Sequence, residues 1–106
     1  MPKYLIEASY TLEGVKGLVR DGGSKRREAA DAAIKSLGGR TEVFYFAFGQ
    51  PDAVLIVDLP DNVSAAAASV AISASGAVGV KTIVLLTPEE MDNAVKKTVN
   101  YRAPGR

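Results

Sequence analysis

The residues able to do chemistry in this chain are few, because histidine and cysteine are both absent. Without histidine there is no general base that titrates near neutral pH and no imidazole metal ligand. A Ser-His-Asp triad and a haem held by a proximal histidine are excluded. Without cysteine there is no thiolate nucleophile, disulfide, zinc–thiolate site or cysteine-ligated iron–sulfur cluster. Any chemistry falls to carboxylates, Tyr, Lys, Arg, Ser or Thr, and no bound cofactor or metal is expected. Three groups of such residues are worth weighing.

The first is a polar set on an otherwise apolar sheet face: Glu7, Ser9, Tyr45 and Thr82, with Asp58 as a further member. A carboxylate in apolar surroundings has its pKa raised by desolvation and can serve as a base. Glu7 is the candidate base, and Tyr45 could orient or protonate an oxyanion. The competing reading is that Glu7 and Ser9 satisfy groups at a rim or on a partner subunit, as most buried polar groups do. Asp58 shares a strand side with Val54 and Ile56. Parity alone does not say which side of that strand meets the helices.

The second group is the turn Gly49-Gln-Pro-Asp52. Gly49 can take positive φ, Pro51 fixes its own φ, and Asp52 can accept backbone N–H groups. Turn chemistry accounts for all of these residue types; the functional alternative is that Asp52 carries a proton or binds a cation, as a ligand-binding residue at a pocket mouth. The third group is basic and rich in glycine, from Gly14 to Arg27. Lys16, Arg20, Lys25, Arg26 and Arg27 ahead of a helix could hold a phosphate or carboxylate. The spacing is not that of a P-loop, and a solvated charged face is the competing reading.

The elements that position these residues follow from periodicity. Lys3 to Thr11 reads as a strand, with Tyr4, Ile6, Ala8 and Tyr10 on one face and Leu5, Glu7, Ser9 and Thr11 on the other. Four glycines in residues 12–23 predict a loop or broken turn. Ser24 is placed to cap a helix whose stripe is Ala30, Ala33, Ile34 and Leu37, ended by Gly38-Gly39. Two strands, 41–48 and 53–59, follow as a hairpin, with Phe44, Phe46 and Phe48 on a common side. An Ala-rich helix over 63–75 ends near Gly76. A fourth strand covers 79–86. Thr87-Pro-Glu-Glu90 opens a last helix with an N-cap, an N1 proline and a capping box. That helix is expected to reach about Thr98.

The order β-α-β-β-α-β predicts an α+β, ferredoxin-like domain. Its four-stranded antiparallel sheet has spatial order 4-1-3-2, both main helices on one face, and an extra C-terminal helix. Both hairpin strands are apolar on both sides, so the helix-free face would leave a patch of several hundred Å², more than a monomer usually shows. Two such sheets face to face would cover it as a dimeric α/β barrel. The chain is therefore expected to form a homodimer or higher homo-oligomer.

At 106 residues, 47% hydrophobic and 24% charged, the composition is that of one soluble domain. The domain is assigned to residues 1–99, with 100–106 as a frayed tail. A net charge of +1 predicts no general attraction to nucleic acid or membrane. Pro2, Lys3 and Glu7 interrupt the first apolar run, so no signal peptide is expected and the cytoplasm is the default location.

In order along the chain, Tyr4, Thr11-x-x-Gly14-Val15, Arg27-x-x-Ala30, Gly38-Gly39, Phe44-Tyr45-x-x-x-Gly49, Asp52, Pro60-Asp61, Gly76, Thr82 and Pro88-Glu-Glu-Met91 resemble the GYD domain family. The resemblance covers nearly the whole chain and implies the ferredoxin-like, barrel-forming fold. It implies no activity, because the family has no settled one. The Gly-Tyr-Asp triplet that names the family reads Gly49-Gln-Pro-Asp52 here, with Pro51 in the Tyr place. The leading functional expectation is a small-molecule binding module with an apolar pocket at the helix-free sheet face, using Glu7, Ser9, Tyr45, Asp52 and Thr82. The alternatives are a cofactor-free monooxygenase-like or isomerase-like enzyme of the dimeric α/β barrel type, with Glu7 or Tyr45 as acid/base, and a pure oligomerisation domain.

Overall fold

A computed structural model describes residues 1–106. The elements run β1 (Lys3–Tyr10), α1 (Leu12–Asp21), α2 (Gly23–Ser36), β2 (Arg40–Phe46), β3 (Ala53–Asp58), α3 (Asn62–Ala74), β4 (Val78–Leu85) and α4 (Pro88–Val95). The four strands form one antiparallel sheet in the order β2-β3-β1-β4. That is the ferredoxin-like order expected from the sequence, with the main helices on one face.

Strand parity divides the sheet cleanly. Tyr4, Ile6 and Ala8 of β1 are buried, as are Ala53, Leu55 and Val57 of β3. They form one core with Ile34 of α2, Ala65 of α3, Leu59 and Val78. The Tyr4 hydroxyl donates to Asn62 Oδ1 at 2.6 Å, tying the start of α3 to β1. α3 presents Ala65 and Ala68 to the sheet, and such small side chains let a helix lie close. α2 packs over β2 and α3 over β4. The two helices thus cover opposite edges of the sheet.

The terminal signals act as their residue types demand. Asp61 Oδ1 accepts the Ser64 N–H at 2.8 Å. Thr87 and Glu90 close a reciprocal capping box. Gly38 takes φ 81° just after α2, the left-handed conformation that a non-glycine residue resists.

Ser24 lies inside α2 and does not cap it, the N-cap being Gly22 with no side-chain bond, and three further expectations are corrected. Residues 12–21 form a helix, not a loop: Thr11 Oγ1 accepts the Gly14 N–H and caps it. Gly14 lies inside α1 because a Cβ there would come within 2.0 Å of the Ala77 carbonyl oxygen. This glycine marks close packing, not a break in the helix. Second, β2 stops at Phe46, so Phe48 lies in the connecting loop, fully exposed, and does not share a strand face with Phe44. Third, α4 ends at Val95, short of Thr98.

α4 also buries none of its residues. The radius of gyration is 16.7 Å, against about 13 Å for a compact domain of this length. No helix is long and apolar enough to cross a membrane.

Candidate functional site

The helix-free face is read from the strand register. Tyr45, Val54, Glu7 and Lys81 form one row across the sheet, and Val43, Ile56, Leu5 and Ile83 the next. A third row holds Arg40, Asp58, Lys3 and Leu85. The middle row is wholly apolar and half-buried, with no helix over it.

The third row is a charge cluster. Lys3 Nζ donates to Asp58 Oδ1 at 2.9 Å and to Glu42 Oε2 at 2.7 Å. Arg40 Nε lies 3.1 Å from Asp58 Oδ2. The hydrogen bond from Lys3, with the charges of Lys3 and Arg40 behind it, holds the Asp58 carboxyl below its ordinary 3.8, although burial pushes the other way. The same contacts, first that to Glu42, raise Lys3 above its ordinary 10.5. Asp58 therefore lies on the helix-free face as a structural ion-pair partner.

Of the residues singled out in the sequence, Glu7, Ser9 and Tyr45 lie on this face. Glu7 and Ser9 line a shallow hollow with Gln50, Pro51, Gly79 and Lys81. Tyr45 stands two strands from Glu7, a backbone separation of about 10 Å, and its side chain is exposed. It is not part of that hollow. Thr82 is a correction. It pairs with Ile6, so it lies on the helix-covered face, where its hydroxyl meets that of Ser69 on α3 at 3.2 Å. The covering helix satisfies it, and it is no part of a polar set with Glu7. Asp52 Oδ2 accepts the Tyr10 N–H at 2.7 Å, and its own N–H donates to the Ala8 carbonyl at 2.8 Å. Asp52 stitches the hairpin loop to the end of β1, as its turn chemistry requires.

The most enclosed apolar space lies on the opposite face. Between the covered side of the sheet and α2 is a cavity of about 110 Å³, in which thirteen of the fourteen lining residues are hydrophobic. Its floor is Ile6, Ala8, Ala53, Leu55 and Val80, and its roof includes Ala30 and Ala33. The cavity has a simple origin. α2 packs over β2 and α3 over β4, and between them α2 presents mainly the short side chains of Ala29, Ala30 and Ala33, with Ile72 on the α3 side.

Arg26 is the one lining residue that is not hydrophobic. Arg26, Tyr10 and Val78 also line a second, more polar cleft of about 480 Å³ that includes Gly17, Arg20 and Ser75. The cavity and the polar cleft therefore adjoin at Tyr10, Arg26 and Val78. Arg26 was visible in the sequence as one of a basic run, but nothing there distinguished it from Lys25 or Arg27. The other cavity residues are apolar ones from several elements, for which a sequence carries no chemical signal beyond that of an ordinary core. No group of three or more carboxylates is close enough to hold a metal ion.

The model of one protein family, described as the GYD domain, matches residues 4–95. No curated protein matches the chain.

Proposed function

We propose that this chain, which belongs to the GYD domain family, is a small-molecule binding module that takes its ligand in the cavity on the helix-covered face of the sheet. The observation that carries this reading is the cavity itself: apolar walls, a floor of strand residues and one polar residue in its lining. Binding sites are typically of this kind, mostly apolar with a few placed polar groups. An apolar cavity of about 150 Å³ holds one benzene ring. At about 110 Å³, this one suits a single ring or a short branched chain.

The cavity is below the roughly 300 Å³ of a pocket for a drug-sized molecule, which confines the reading, for a binder and an enzyme alike, to a small ligand and disfavours a polycyclic one. Glu7 lies on the other face of the sheet, so a base at that position does not reach this cavity. The shallow hollow around Glu7 and Ser9 has only one hydrophobic lining residue, which makes it a weaker place for an apolar ligand.

Self-association is the second half of the reading. The helix-free face carries a continuous apolar row of Val43, Ile56, Leu5 and Ile83, and its occupant is taken to be the same face of a second copy. α4 supports this. Met91 and Val95, at i and i+4, are about half and three-quarters exposed (49% and 74%), and no residue of α4 is fully buried against its own chain. An arm of this kind is suited to packing on a neighbour.

Two measurements test the reading. Benzene should raise the melting temperature of the wild-type protein and not that of Ala33→Leu, in which added methyl groups occupy the cavity. Absence of any benzene effect on the wild type contradicts the binding module. Native mass spectrometry should show a dimer or larger assembly; a monomer at micromolar concentration contradicts the assembly.

A further inference from the structure

We infer that the ligand is an amphipathic monoanion, a carboxylate on a single ring or short branched chain, with its head held by Arg26. The inference rests on the cavity being a binding site, and it adds the chemical class of what binds.

Arg26 and Arg27 are adjacent on α2 and differ in what surrounds them. Arg27 has Asp31 one turn ahead and lies 3.7 Å from its carboxylate. Arg26 has Gly22, Gly23, Ala29 and Ala30 at the positions three and four residues away, where helical partners would stand. The first turn of α2 carries no acidic residue. Arg26 makes no salt bridge. It is half-buried and borders both the apolar cavity and the polar cleft.

A guanidinium in that position offers a fork of N–H donors to a carboxylate, while the carbon skeleton of the ligand enters between Ala30, Ala33 and Ile6. The surrounding charges set the valence of the head. Arg20 and Arg26 line the cleft together with Glu13 and Asp21, so the four charges sum to zero. A dianionic head such as a phosphate monoester would meet two carboxylates with only two arginines to balance them. A single negative charge beside Arg26 is the better match. Glu13 and Asp21 line the outer cleft and are not among the residues of the apolar cavity; a cationic head at the inner end would face Arg26 alone.

The test is a calorimetric titration of the full chain with four probes that share a ring: phenylacetate, phenylacetamide, phenethylammonium and benzyl phosphate. Phenylacetate should bind about tenfold or more tighter than the neutral amide, the difference a charge-assisted hydrogen bond provides. Arg26→Gln should remove that preference, bringing the affinity for the acid down to about that for the amide. Lys25→Gln, a change to an exposed neighbouring charge, should leave both affinities as they were. Equal affinity for acid and amide in the wild type overturns the inference but leaves the binding module standing. Tighter binding of phenethylammonium or benzyl phosphate overturns it in the same way. If none of the four probes binds, both the inference and the binding module fall.

Discussion

The two faces of this sheet are built from the same strands and are packed differently. On the covered face, Tyr4, Val57 and Leu59 are almost completely excluded from solvent, yet the middle of that face is not filled. On the helix-free face, Leu5, Val43, Ile56 and Ile83 are only half-buried, in a row with no gap. The difference shows that apolar content alone does not locate a binding site. The covered face leaves a cavity between the sheet and α2, whereas the open face carries an unbroken row of branched side chains.

The comparison can be broken most severely at the core. Leu59→Ala removes a side chain with no solvent exposure and should destabilise the chain by about 2–5 kcal/mol. Ile56→Ala, on the open face, should cost the isolated chain roughly 1 kcal/mol or less, since part of that side chain is already in water. Chemical denaturation at two protein concentrations separates the cases. The Leu59→Ala cost should not vary with concentration, whereas that of Ile56→Ala should grow with concentration as the wild-type assembly forms. Equal, concentration-independent costs would remove the distinction between the faces.

Next in size is Gly14→Ala. In an open helix this change gains about 1 kcal/mol. Here the new Cβ would meet the Ala77 carbonyl oxygen at 2.0 Å and Tyr10 Cδ1 at 2.9 Å. The sign should reverse, to a loss of about 1–3 kcal/mol, read as a lower melting temperature. Because Tyr10 lines both the cavity and the cleft, benzene uptake should weaken as well.

The smallest effect concerns the charged row of the open face. The Asp58 carboxyl is held below its ordinary 3.8 in the folded chain. Its contribution is therefore fully present above that value and is lost as pH falls through the lowered folded value. Lys3 is raised above 10.5, so its contribution is full below that pH and fades as pH rises through the higher folded value. Asp58→Asn should flatten the acid limb of a stability-versus-pH curve below about pH 4. An unchanged acid limb would show that the cluster does not couple to folding.

Much of the fold was legible because it rests on local signals. Thr87-Pro-Glu-Glu90 announced α4, Gly38 ended α2, and the element order left one simple sheet topology. α1 was obscured by Gly14 and Gly17, which read as breakers although Thr11 was in place to cap a helix and Leu12, Val15 and Val19 fall at helical spacing. The glycine answers to a contact with Ala77, more than sixty residues away, which no local pattern reveals. Thr82 was placed on the wrong face because parity within β4 becomes meaningful only through its register with β1, where it meets Ile6. The candidate cavity was the least legible part. It consists of space between apolar residues drawn from several elements, and its one telling side chain, Arg26, is distinguished by the absence of acidic partners at helical spacing.

The most direct test uses the five isoleucines, which divide between the faces. Ile6, Ile34 and Ile72 line the cavity, while Ile56 and Ile83 belong to the open apolar row. In a spectrum of protein labelled at the isoleucine δ1 methyl groups, titration with benzene should shift Ile6, Ile34 and Ile72 and leave Ile56 and Ile83 in place. Shifts confined to Ile56 and Ile83, or no shifts at saturating benzene, would contradict a binding site on the covered face.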